Sequence, residues 1–200
     1  MILKVLLGTK NPDKCRELRR LLRRVGVRVQ SLRDFPHCPD VVEDGRTFEA
    51  NAKKKARVYA RHTGVMTLAD DSGLKVCALR GKPGVYSARF AGPRCSYDDN
   101  NRKLLRLLRG VPRQKRGATF VCVAVLYKGR RLVGCVRGEC HGRIAFEAQG
   151  QNGFGYDPVF IPAGYKKTFA ELSPGLKNRL SHRGRALRKA VRVISGLMKS

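Results

Sequence analysis

Apolar residues fall in short runs early in the chain and at helical spacing between those runs. Residues 2–7 (Ile-Leu-Lys-Val-Leu-Leu) form the first run and predict a buried strand. Pro12 suits the first turn of a helix, and Cys15, Leu18, Leu22 and Val25 then recur at helical spacing with arginines between them. Gly26 stops that helix, residues 27–30 alternate as a second strand, and residues 32–45 make a polar, proline-containing loop. Thr47 is placed to cap a helix with Phe48, Ala52, Ala56 and Tyr59 on its apolar side, ending near Gly64. Residues 65–69 and 74–79 read as two short strands, followed by a Gly/Pro loop at 81–93.

In the second half, Ser96 and Asp99 make a capping box for a helix through Leu108. Residues 118–127 are almost all apolar and predict a central strand, turned by Lys128-Gly129 into a hairpin with 131–140. Residues 150–158 are a second glycine-rich loop. Residues 182–198 form an amphipathic helix with Leu187, Val191, Ile194 and Met198 on one side. Early alternation of strands and helices followed by a meander predicts an α/β fold with a mixed, twisted β-sheet and flanking helices. No internal repeat or low-complexity linker divides the chain, so residues 1–200 are expected to form one domain.

Composition adds two constraints. No apolar run approaches the roughly 20 residues a membrane helix needs, and the first run leads straight into Gly8-Thr9 and a helix, so a cytoplasmic, membrane-free protein is expected. The 7 Cys are irregularly spaced without any CxxC pair, and the 4 His are scattered. Reduced, mostly buried thiols are therefore expected, and no zinc site. Charge changes the picture more: 43 Lys and Arg against 15 Asp and Glu give +28. Such a field attracts polyanions, yet the basic residues are dispersed, which points to non-specific nucleic-acid attraction at most.

Against that excess, six of the few acids lie in four loop constellations. Thr9-Lys10-Asn11-Pro12-Asp13-Lys14 joins a strand to a helix N-terminus, where backbone amides, the helix dipole and a lysine favour phosphate. Glu43-Asp44-Gly45 precedes Asn51 and Lys55. Asp70-Asp71-Ser72-Gly73 follows an apolar strand; adjacent carboxylates there call for a cation, and strand alternation aims them at different partners. Gly153-Phe154-Gly155-Tyr156-Asp157-Pro158 is followed by Lys177 and Ser181-His182-Arg183-Gly184. Phe154 between glycines is a candidate exposed platform for a base, and His182 and Arg183 are candidate donors to a purine keto oxygen and ring nitrogen. Each motif alone also reads as an ordinary turn or helix start.

Taken in order, T-x-N-x-x-K, E-D-G-x-T-F-x-x-N-A-x-x-K-A, A-D-D-S-G-L, P-G-x-Y-S-A-R-F, G-F-G-Y-D-P-x-F and K-x-x-x-S-H-R-G-x-A-L resemble the inosine triphosphate pyrophosphatase family over residues 3–187. The resemblance implies two lobes around a central cleft, a homodimer, and Mg2+-dependent hydrolysis of non-standard purine nucleoside triphosphates (ITP, dITP, XTP) to monophosphate and pyrophosphate. It implies that Asp71 is the general-base or metal-site aspartate, Glu43 the other metal carboxylate and Asp70 their neighbour. Thr9, Lys10, Asn11, Pro12, Asp13 and Lys14 match the phosphate loop, with Lys55 a further phosphate contact and Ser72 a substrate contact. Phe154, Gly155, Tyr156, Asp157, Lys177, His182 and Arg183 match the nucleoside-binding groups. Lys10 stands where many members carry glycine, which would strain it if that position requires positive φ. A same-fold pyrophosphatase for another modified nucleotide and a basic nucleic-acid-binding module are the alternatives.

Overall fold

The computed structural model describes residues 3–22 and 26–198. Ile2, Val25 and the Arg23-Arg24 pair of the expected first strand and helix lie outside them. Six strands, β1 (Lys4–Leu7), β2 (Arg28–Ser31), β3 (Met66–Val76), β4 (Gly117–Lys128), β5 (Arg131–Ile144) and β6 (Phe160–Pro162), form one sheet in the order β2-β1-β3-β4-β5-β6. β1 pairs in parallel with β2 and β3, and β5 pairs antiparallel with β6, so the sheet is mixed as expected. Among the described residues five α-helices accompany it: α1 (Pro12–Leu22), α2 (Phe48–Thr63), α3 (Tyr97–Leu107), α4 (Pro174–Leu180) and α5 (His182–Leu197).

The chain divides into two compact units. Unit 1 comprises residues 1–71, 122–138 and 183–200; unit 2 comprises 72–121 and 139–182, so the divide falls inside β3, β4 and β5. In unit 1, Leu18 and Leu22 of α1 and Ala186, Leu187, Ala190 and Ile194 of α5 pack with Val5, Leu7, Leu68 and Leu126. Each such leucine or isoleucine, buried completely, contributes roughly 1.5–3 kcal/mol. In unit 2, Leu104 and Leu108 pack with Leu74, Phe120, Phe160 and Phe169.

Local chemistry sets several boundaries. Thr47 accepts the Ala50 N–H at the start of α2, and the helix ends at Gly64. Ser96 and Asp99 form the anticipated capping box on α3. The prediction of two strands at 65–69 and 74–79 is corrected: one strand, β3, runs through both and carries Asp70-Asp71-Ser72-Gly73 in its middle. Met198 is exposed, so α5 packs through Ala186, Leu187, Ala190 and Ile194 instead. Of the cysteines only Cys122 and Cys140 are buried, which corrects the expectation of mostly buried thiols. The short elements α4 and β6 carry too few periodic residues to be read from the sequence.

Candidate active site

Unit 1 gathers the acidic and lysine motifs around the middle of β3. Asp70 is 0% and Asp71 7% exposed. Because successive side chains of a strand point to opposite faces, the two carboxylates meet different partners. Asp70 Oδ2 lies 3.3 Å from Lys14 Nζ and 3.4 Å from Arg183 Nε, and Cys122 Sγ donates to it at 3.7 Å. Arg183 Nη1 continues the chain to Glu17 at 2.5 Å. Burial opposes the charge on Asp70, but Lys14, Arg183 and Lys55 outweigh it and hold the carboxyl well below the usual range. Burial opposes the Lys14 ammonium too, yet Asp70 and Asp71 keep its pKa raised against the repulsion of Arg183. Asp70 Oδ1 is buried with no hydrogen-bond partner among the described residues.

Asp71 is the opposite case. Burial pushes its pKa up, against the pull of Lys55, Lys14 and the Asn51 amide, and Glu43 adds to the rise. Asn51 Nδ2 donates to Asp71 Oδ2 at 3.0 Å, while Asn51 Oδ1 accepts the Gly45 N–H at 2.7 Å. Thus Asn51 ties the Glu43-Asp44-Gly45 loop to Asp71. Gly45 is required by close approach: a Cβ there would stand 2.6 Å from Asn51 Oδ1. One helical turn on, buried Lys55 bonds Glu43 Oε2 at 2.7 Å. Asn51 and Lys55 share one face of α2 because they are four residues apart. Read alone, Lys55 looks like a surface lysine; the structure buries it.

The phosphate-loop motif is arranged differently from its expectation. Asn11 Oδ1 accepts the amides of Asp13 and Lys14, capping α1, and Thr9 Oγ1 accepts the Asn11 amide. The amides of Gly8 and Thr9 donate to Leu68 O and Leu7 O. Those loop amides are satisfied within the chain, and the motif's Lys14 points to Asp70. Pro12 opens α1 and Asp13 pairs with Arg16 at 3.4 Å. Lys10 bonds Asp40, and among the described residues only Arg80 and Arg94 are non-glycine residues with positive φ. Lys10 is therefore unstrained.

Unit 2 holds the glycine-rich motif, with half-buried Ser72 at its β3 end. Asp157 Oδ2 accepts the Phe154 N–H at 2.8 Å and the Lys177 ammonium at 2.6 Å. Gly153 has φ 82°, and a Cβ on it would meet Asp157 Oδ2 at 2.1 Å, so only glycine fits. Tyr156 is buried with its hydroxyl donating to Ser87 O at 2.9 Å, and Asn101 Nδ2 donates to Gly155 O at 2.9 Å. Phe154 is half-buried, not exposed: Lys177 Nζ lies 4.9 Å from its ring and the Tyr97 ring lies tilted beside it at 5.8 Å. The ammonium that neutralises Asp157 thereby also covers part of the expected platform. His182 is buried and stacks on Phe120 at 4.5 Å and 5°.

The structure thus brings together Lys14, Glu43, Lys55, Asp70, Asp71 and Arg183 in unit 1, and Phe154, Gly155, Tyr156, Asp157 and Lys177 in unit 2. Arg183, grouped by sequence with the nucleoside-binding residues, is committed to Asp70 and Glu17. Sequence reasoning left Asn51 and Glu17 without roles. Helical spacing alone could have found Asn51, four residues before Lys55; Glu17 carries no such signal, because its partner is 166 residues away.

A divalent cation fits the donors in unit 1. Burial, the main cause of the raised Asp71 pKa, and the nearby Glu43 carboxylate leave Asp71 short of positive charge despite Lys55 and Lys14, a shortfall a cation would make good. Among the described residues no three His, Cys, Asp or Glu side chains form a full ligand set. One or two carboxylates with the remaining positions left to other oxygen donors suits a hard divalent cation.

Fold and site define an α/β protein with a buried centre of carboxylates, lysines and an arginine on β3 and its neighbours. Residues 5–193 match the Ham1 family, and the chain belongs to that family. It is 49% identical over 195 residues to a dITP/XTP pyrophosphatase of Desulforamulus reducens, covering 98% of this chain and 97% of the relative. Among solved structures, a HAM1 protein from Coxiella burnetii superposes with a TM-score of 0.89 at 38% identity, covering 98% of this chain and 100% of that one. A nucleoside-triphosphatase / dITP/XTP pyrophosphatase from Mycobacterium abscessus gives 0.76 at 45% identity, covering 94% and 98%.

Proposed function

We propose that this chain is a pyrophosphatase of non-standard purine nucleoside triphosphates, cleaving dITP, XTP and ITP to the monophosphate and pyrophosphate with Mg2+. The observation that carries the reading is the Gly45–Asn51–Asp71 bridge beside the Lys55–Glu43 and Lys14–Asp70 pairs. It is supported by the similarity to dITP/XTP pyrophosphatases.

Asp71, held by Asn51, accepts a proton from water as that water attacks the α-phosphorus. The bond to the bridging oxygen breaks, and pyrophosphate leaves with the electron pair. The raised pKa makes Asp71 a better base than an ordinary carboxylate. Asp70 stays ionised and keeps Lys14 charged for the phosphates, while Lys55 serves the same charge from α2. Glu43 and Asp71 would hold Mg2+, which neutralises triphosphate charge and acidifies water. The unit 2 loop and His182 are assigned the base: a donor facing a 6-keto oxygen is left unpaired by the 6-amino group of adenine, which costs several powers of ten. Arg183 joins in base reading only by giving up a carboxylate bond. The protein acts as a cytoplasmic homodimer; a single protomer mass at both low and high salt would exclude the dimer.

Release of pyrophosphate from dITP, XTP, ITP and ATP, with and without Mg2+, tests the reading. Expected is fast, Mg2+-dependent pyrophosphate release from the first three. Equal kcat/KM for ITP and ATP would overturn the base selectivity, and orthophosphate in place of pyrophosphate would overturn the site of cleavage.

A further inference from the structure

One strip of unit 2 has chemistry that the proposed hydrolysis does not use. At the end of α3 a hollow of about 420 Å³ is lined by Arg102, Leu105, Arg106, Arg109, Arg116 and Phe146. A second, of about 700 Å³, shares Arg102 and Arg106 as its wall and adds Arg94, Lys103 and one acid, Asp99. Phe146 is 67% exposed, unusual for so large an apolar side chain in isolation, and its inner face rests on the Arg116 guanidinium at 4.6 Å.

Arg116 explains why Phe146 stands there. It is 2% exposed, and no carboxylate pairs with it among the described residues. Its guanidinium donates instead to Leu108 O (2.8 Å), Ile144 O (2.9 Å) and Ala145 O (2.6 Å), tying the carbonyl end of α3 to the end of β5. The aromatic ring is thereby held by a fixed staple next to a row of cations. Asp98 and Asp99 occupy Arg102, and Lys103 donates to Phe90 O. Arg94, Arg106 and Arg109 are exposed and pair with no acid among the described residues.

We propose that this strip is a docking site for single-stranded nucleic acid, an unpaired base stacking on Phe146 and the phosphates running along Arg94, Arg106 and Arg109. A presented aromatic face beside an unneutralised cationic track is how sequence-tolerant single-strand binding is built. The two hollows share Arg102 and Arg106 as a wall, so the cationic track runs from one into the other. A duplex hides its base faces and gains nothing from Phe146, and a lone exposed ring among arginines offers a lipid surface little to insert.

The test is fluorescence anisotropy of the full chain with a labelled U12 oligonucleotide at several salt concentrations. Phe146→Ala is expected to weaken binding about tenfold, as loss of one base stack does. The pair Arg106→Ala/Arg109→Ala is expected to weaken it similarly and lower the log–log salt slope by about 1.4, at ~0.7 per single-strand phosphate. The charge-matched pair Arg130→Ala/Arg131→Ala, on the exposed β4–β5 turn of unit 1, changes affinity less than twofold, and all three variants keep dITP hydrolysis. If the turn variant loses as much as the strip variant, the attraction belongs to the whole +28 charge and the site is overturned. So it is if Phe146→Ala binds normally, if a duplex of the same length binds as well, or if UMP at equal nucleotide concentration displaces U12 as effectively as unlabelled U12.

Discussion

Each unit buries a lysine–aspartate pair, and the two pairs are finished differently. In unit 2, Lys177 and Asp157 are 2.6 Å apart, and the same carboxylate oxygen also holds the Phe154 amide, so the pair closes a loop around itself. In unit 1, Lys14 and Asp70 are 3.3 Å apart and share their field with Arg183, Lys55, Asp71 and Glu43, and Asp70 Oδ1 has no hydrogen-bond partner among the described residues. A closed pair gives shape: it fixes the turn at Gly153–Asp157. An open, multiply connected cluster gives capacity: its charges are compensated in common and can be re-partnered by a polyphosphate and a cation. Buried charge therefore does not by itself mark a catalytic centre; the incompleteness of its bonding does.

The largest effect that should separate the two units is Asp71→Asn. It removes the base and one metal carboxylate, so kcat for dITP is expected to fall about 10³–10⁴-fold, read by pyrophosphate release at saturating Mg2+. The fold should not suffer. Burial raises the Asp71 pKa, so ionising it costs the native state stability at neutral pH, and the neutral amide removes that cost while still accepting from Asn51. A Tm equal to or a few degrees above wild type is expected; a large drop would make Asp71 structural. The acid limb of kcat/KM should also lie above the pH of an ordinary aspartate, since activity is lost as pH falls through the raised pKa.

Lys177→Met asks the converse question of unit 2. It removes the ammonium that Asp157 Oδ2 accepts at 2.6 Å, and breaking such a buried pair costs about 3–5 kcal/mol, or roughly 6–20 °C in Tm. Thermal unfolding checks it. A stable variant that loses only substrate affinity would show that Lys177 is a ligand contact and the pair is not closed.

How far the sequence carried each unit follows from the distance over which its chemistry acts. The cap at Thr47, the stop at Gly64 and the Ser96–Asp99 box are satisfied within a few residues, and all were legible. Asp70-Asp71 was misplaced at a strand end because two adjacent carboxylates look unfit for a strand interior. What makes them fit comes from Asn51, Lys14 and Arg183, and the last is 113 residues away. Phe154 was read as an open platform because a Gly-Phe-Gly string contains no trace of Tyr97 or Lys177. The motifs were thus visible; their partners, and so their burial, were not.

Asn51→Ala probes the organisation of unit 1 without touching a charge. The variant frees Asp71 Oδ2 and the Gly45 amide together, and loss of such an orienting contact typically costs 10–100-fold. The loss should appear in kcat more than in KM, with a higher Mg2+ concentration needed for half-maximal rate. Asn51→Asp should be worse than Asn51→Ala, because it sets another carboxylate against Asp71. Equal activity in all three proteins would reduce Asn51 to a loop tether.

The smallest effect is the most direct measure of open against closed. Lys14→Met removes a cation from Asp70 just as Lys177→Met does from Asp157, but Arg183 and Lys55 remain to compensate. The cost at pH 7 should therefore be about 1–2 kcal/mol, well short of the 3–5 kcal/mol typical of breaking an isolated buried pair. Its pH dependence has a definite sign. The folded pKa of Asp70 is depressed, so its contribution is fully present above the unfolded value of about 3.9 and is lost as pH falls below it toward the folded pKa. Removing Lys14 raises the folded pKa and shrinks that contribution, so the stability gap between wild type and variant should narrow as urea titrations are moved from pH 7 to below pH ~4. A gap that stays constant with pH would mean that Lys14 stabilises through packing of its aliphatic stem, and that Asp70 is held by Arg183 alone.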